Sequence, residues 1–122
     1  MRIKSQEFDE LVSTAIAGIE EQFRRYLEEV PVIVEDRPDA AAARSVGLSN
    51  PRHLLGLFRG VPLKLRSVEH SGVTNQILLY RRNILSVCRT RAELAQQIRA
   101  TIIHELGHYL GFSEAELRRH HY

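Results

Sequence analysis

The chain has 122 residues, 43% of them hydrophobic and 26% charged, and 17 Lys and Arg against 15 Asp and Glu give a formal net charge of +2. This length suits one domain, residues 1–122, and this balance excludes a disordered chain. The lone Cys88 excludes an internal disulfide and a multi-thiolate zinc site, and with neither a secretory signal in MRIKSQEFDELV nor an apolar stretch near the ~20 residues that span a bilayer, a cytoplasmic protein without membrane contact is expected.

From Ser5 to about Glu29 the apolar residues Phe8, Leu11, Val12, Ala15, Ile16, Ile19, Phe23, Tyr26 and Leu27 recur at helical spacing and predict one long amphipathic helix. Pro31 ends it, and VIVED at 32–36 reads as a strand. Residues 37–53 mix Pro, Ala, Ser, Asn and Gly without period and read as a surface loop. LLGLFRGVPL at 54–63 predicts a strand that turns sharply at Gly60, and NQILLYR at 75–81 predicts another. Thr90 with Glu93 forms a capping box that opens a helix carrying Leu94, Ile98, Ile102 and Leu106 along one side and ending at Gly111. Ser113 with Glu116 forms a second box, opening a short helix from Glu114 towards Arg119. Cys88 reads as a small buried hydrophobe, and the arginines at 81, 82, 89, 91, 118 and 119 as solvated faces. The order of elements implies an α+β layer: a small, mostly antiparallel sheet with helices on one face and the histidine helix at the centre.

That helix reads TIIHELGHYL at 101–110. Residues four apart on a helix stand about 40° off a common line and about 6 Å apart along the axis. His104 and His108 therefore point the same way, with spacing suited to one Zn²⁺, while Glu105 stands beside the metal within reach of a bound water. Gly111 lets the chain turn back, and Glu114 falls where the extended HExxHxxGxxH pattern has its third ligand. A carboxylate suits that place, because two histidines and one carboxylate with an open fourth position form a standard catalytic zinc set. Glu116 is the rival for this third position, and its carboxylate already has a use in the capping box.

HELGHYLGFSEAEL, together with LLGLFRGVPL and LLYRRNIL upstream, resembles the minimal bacterial zincin-like metallopeptidases. The resemblance runs from about Leu54 onward, and it implies a stripped-down zincin fold, a protease role and a carboxylate third ligand at Glu114. Met1 is the sole methionine, so the Met-turn of larger relatives is absent. The expected cleft is shallow, or is completed by a partner chain or a second copy.

The expected activity is peptide-bond hydrolysis through a zinc-bound water, with His104, His108 and Glu114 as metal ligands, Glu105 as general base and a peptide or protein as substrate. The strand QILLYR pairs with an extended substrate if it lies at the sheet edge. Tyr80, Tyr109 and Arg81 are candidates for stabilising the oxyanion, and spacing does not choose among them. His53, His70, His120 and His121 are expected at the surface, outside the site. Two other readings stand behind this one: a zinc-stabilised regulatory or interaction module, and a metal-dependent endoribonuclease, which the absence of a third histidine and the presence of Glu105 disfavour.

Overall fold

A computed structural model describes residues 1–63 and 74–122. His70 lies outside the described residues. The first helix, α1 (Ser5–Ala17), buries Phe8 and Val12. It stops well short of Glu29, since Gly18 caps it with an N–H that reaches the Thr14 and Ala15 carbonyls, and Ile19 turns into the core. Glycine is a poor helix former, so the apolar periodicity continues across a real break. A four-residue helix α2 (Glu21–Arg24) and a 3₁₀ turn at Arg25–Glu28 complete the segment.

Strand β1 (Val32–Glu35) leads into the region expected to be loop, which instead holds helix α3 (Ala40–Ser45) and a 3₁₀ turn at Pro51–His53. Two local effects explain α3: the Asp39 carboxylate accepts from the Ala42 N–H at 2.7 Å, and four successive alanines have the highest helix propensity. Strand β2 (Gly56–Arg59) precedes β3 (Gln76–Tyr80), and Gly60 makes the expected turn at φ 141°. Arg81, read as the end of a strand, instead opens helix α4 (Arg81–Ser86), where its guanidinium donates twice to Asp36, at 2.9 and 2.6 Å. Helices α5 (Arg91–Tyr109) and α6 (Glu114–Arg119) follow, with Thr90 and Ser113 as their caps.

The α+β class holds, and the strands run β1-β3-β2 in one sheet. That sheet is mixed: β1 pairs parallel with β3, and β2 pairs antiparallel with it. The long chain between β1 and β3 permits this, because a parallel pair needs a crossover of a dozen or more residues. β3 is therefore the middle strand, not an edge. Its Ile77 and Leu79 pack with Phe8, Ile98 and Ile102 in the larger core, while Leu78 and Tyr80 pack with Ala42, Leu54 and Leu57 on the other face. Helices thus cover both faces of the sheet, since α3 supplies Ala42 opposite α1 and α5. Each such fully buried Leu, Ile or Phe side chain contributes about 1.5–3 kcal/mol by transfer from water. Cys88 is a buried free thiol, as expected. No described helix is long and apolar enough to cross a membrane.

Candidate metal centre

The buried side of α5 carries Leu94, Ile98, Ile102, Leu106 and Tyr109, and this fixes the helix against the sheet and α1. The same anchoring turns His104 and His108 outward together, with ring centroids 5.1 Å apart and planes at 80°. Gly111 adopts φ 96°, a left-handed conformation suited to glycine, and it reverses the chain while the Phe112 N–H closes on the Gly107 carbonyl at 2.9 Å. The Ser113–Glu116 capping box is made in both directions and starts α6. Gly107, between the two histidines, lets α6 come close: a Cβ there would sit 2.4 Å from Leu117 Cδ2.

This turn brings Glu114 back over α5. Its Oε1 lies 3.0 Å from His104 Nε2 and 2.7 Å from His108 Nε2. Glu116 does something else: its carboxylate accepts the Ser113 N–H within the cap, at 3.2 Å. Glu105, on α5, is half-buried against β2, where it accepts the Phe58 main-chain N–H at 2.9 Å. β2 can approach α5 this closely because Gly56 has no side chain, and a Cβ there would meet Thr101 Cγ2 at 2.5 Å.

His104, Glu105 and His108 offer ligand atoms that all lie within 4.8 Å of one another, and Glu114 adds an oxygen in contact with both imidazoles. The tautomer of His104 tests whether a cation suits the place. Its Nδ1 faces the Tyr122 main-chain oxygen at 3.2 Å, and an oxygen of that kind only accepts, so Nδ1 carries the proton. A neutral ring then turns a bare Nε2 lone pair towards the Glu114 carboxylate, an arrangement that only a proton or a metal ion makes favourable. Donors at about 2.0–2.1 Å from a tetrahedral zinc stand about 3.3 Å apart, so these need to separate by a few tenths of an ångström. The donor set fits zinc.

Electrostatics agree with the geometry. Burial opposes charge on His104, but the Glu114 hydrogen bond, the Tyr122 oxygen and the charges of Glu105 and Glu114 raise its pKa above the ordinary 6.5. Burial pushes the Glu105 carboxyl above its ordinary 4.5, against the pull of His108, the Phe58 N–H and His104. For Glu114, burial raises the pKa, yet the hydrogen bonds and charges of His104 and His108 outweigh it and hold the group below 4.5.

A cavity of about 770 Å³ opens on this cluster, lined by His104, Glu105, His108 and Glu114 and, on its apolar side, by residues such as Leu48 and Leu54. His53 and Tyr122 also line it, and sequence reasoning had placed neither there. His120 and His121 are exposed and do not line it. Of the three oxyanion candidates, Tyr109 donates to Glu29 at 2.6 Å, Arg81 is engaged by Asp36, and Tyr80 is fully buried on the α3 side.

No curated protein matches the chain. A solved structure, a conserved hypothetical protein from Thermo thermophilus, is similar at 28% identity and TM-score 0.56, over 88% of this chain and 94% of that one. Residues 27–122 match the family model of the zincin-like metallopeptidases. Because that match takes in the three described strands and both helices that meet at the imidazoles, the chain belongs to the zincin-like metallopeptidase family.

Proposed function

We propose that residues 1–122 form a single-domain zinc-dependent peptidase in which His104, His108 and Glu114 are the metal donors and Glu105 is the general base. The observation that carries this reading is the contact of one Glu114 oxygen with Nε2 of both histidines, at 3.0 and 2.7 Å. Glu105 is the other carboxylate at hand, and the Phe58 N–H ties one of its oxygens to β2. That tether favours Glu114 as donor and leaves Glu105 for proton transfer.

A zinc ion held by these donors would polarise the scissile carbonyl and bring the pKa of a coordinated water to about 7. Glu105 accepts a proton from the attacking water and returns it to the leaving amine. The Phe58 N–H fixes the direction from which the carboxylate works. An extended peptide can add to the sheet only at an edge, and among the described residues the edge strand beside Glu105 is β2, since QILLYR lies in the middle.

The test is cleavage of an unstructured peptide or denatured casein by the zinc-loaded protein and by Glu105→Gln. The amide keeps the shape of the carboxylate but cannot take a proton, so turnover should fall about 10²–10⁴-fold with zinc content unchanged. Equal turnover removes Glu105 from the mechanism. No turnover by the zinc-loaded parent favours a regulatory module.

A further inference from the structure

We propose that Tyr122 is a positioning residue for the metal centre: its ring, seated on Phe23, holds its main-chain oxygen where that oxygen accepts the Nδ1 proton of His104. The inference rests on His104 being a metal donor. Past α6 the chain doubles back through three main-chain bonds, from His120 N to Glu116 O, His121 N to Arg118 O and Tyr122 N to Leu117 O, the last at 2.8 Å. The last two bonds form a Schellman motif, and His121 is its left-handed residue, at φ 64°. Beyond that turn the half-exposed Tyr122 ring lies edge-on to Phe23, with centroids 6.2 Å apart and planes at 75°.

This latch has a chemical consequence. A His104 ring that donates its Nδ1–H to the Tyr122 oxygen at 3.2 Å presents Nε2, as a bare lone pair, to the point where Glu114 and His108 converge. Without that acceptor the ring is free to rotate and to change tautomer, and a metal must then do the ordering. Phe23 lies just upstream of the residues 27–122 that match the family model.

Three variants test this: Tyr122→Ala, Tyr122→Phe and Phe23→Leu. Zinc affinity is read by competition with a calibrated chelator, the His104 Nδ1 proton by NMR of the zinc-loaded protein, and thermal unfolding on the zinc-free protein. Loss of a group that orients a ligand typically weakens metal binding about 10–100-fold, and this is the loss expected for Tyr122→Ala. Its Nδ1 proton should also exchange rapidly with water, while unfolding of the zinc-free protein changes little. Tyr122→Phe should keep both the affinity and the protected proton, because an edge-to-face contact needs no hydroxyl. Phe23→Leu should follow Tyr122→Ala, and it carries the test alone if Tyr122→Ala does not fold. Parent-like affinity with a protected Nδ1 proton in Tyr122→Ala or Phe23→Leu would overturn the proposal. A parent that binds no zinc would remove the metal reading itself, a result distinct from equal binding by parent and variant.

Discussion

Gly107→Ala separates two effects of opposite sign at the heart of the site. The new Cβ would lie 2.4 Å from Leu117 Cδ2, 3.2 Å from Cδ1 and 3.4 Å from Cγ. Carbon atoms rest at about 3.5–4.0 Å, so Leu117 must withdraw by more than 1 Å at its tip. Leu117 is 3% exposed and anchors α6 to α5, and Glu114 stands on the same short helix. Overpacking of this kind costs about 1–3 kcal/mol, and replacing a helical glycine by alanine returns about 1 kcal/mol. The zinc-free protein should therefore lose only about 0–2 kcal/mol, measurable by thermal or denaturant unfolding. Zinc binding should suffer more, because a shift of α6 carries Glu114 away from the imidazoles, and misplacing such a group weakens binding about tenfold or more. Chelator competition at fixed pH reads that change, with Gly107→Ala/Leu117→Val as partial rescue. Should Gly107→Ala bind zinc as tightly as the parent, close approach at Leu117 does not set the position of Glu114.

Other outcomes follow from the same geometry. His104→Ala and His108→Ala should each abolish stoichiometric zinc binding, measured by metal analysis of the purified protein. Glu114→Ala should weaken zinc binding and Glu114→His should retain it, whereas Glu116→Ala should leave it unchanged while losing up to about 1 kcal/mol with the cap. If Glu116→Ala loses zinc and Glu114→Ala keeps it, the third donor is misassigned. Arg81, through its hydrogen bonds first and its charge second, holds Asp36 below the ordinary 3.8. A lowered carboxylate pKa adds stability that is complete above the ordinary value and is lost as pH falls through the folded one. Asp36→Asn should thus reduce stability at neutral pH and shrink its decline below about pH 3.8, followed by unfolding across an acid titration.

The histidine helix was legible because every signal for it is local: Thr90 at its start, HELGH within it and Gly111 at its end. Helix α6 was legible for the same reason, through Ser113 and Glu116. The break at Gly18 was hidden, because Ile19 and Phe23 keep the apolar spacing on both sides of it. Helix α4 was hidden because Arg81 continues a strand-like run, and only its pairing with Asp36 across the sheet shows where the strand ends. That QILLY lies in the middle of the sheet depends on a parallel partner more than forty residues upstream, beyond what a local pattern carries. Within the candidate site, spacing could place the two histidines and two glutamates near one another. The Phe58 N–H on Glu105 and the Tyr122 oxygen on His104 could not be read from it, since main-chain groups leave no mark on a sequence.

The central claim is that three side chains converge on one zinc ion while Glu105 stays out of its coordination. Anomalous scattering at the zinc absorption edge from crystals of the zinc-loaded protein measures this directly. The account predicts a single peak bonded to His104 Nε2, His108 Nε2 and a Glu114 oxygen at about 2.0–2.2 Å, a fourth position open to solvent, and Glu105 still on the Phe58 N–H. A peak bonded to Glu105 in place of Glu114, a fourth protein ligand closing the site, or no peak at these histidines would contradict it.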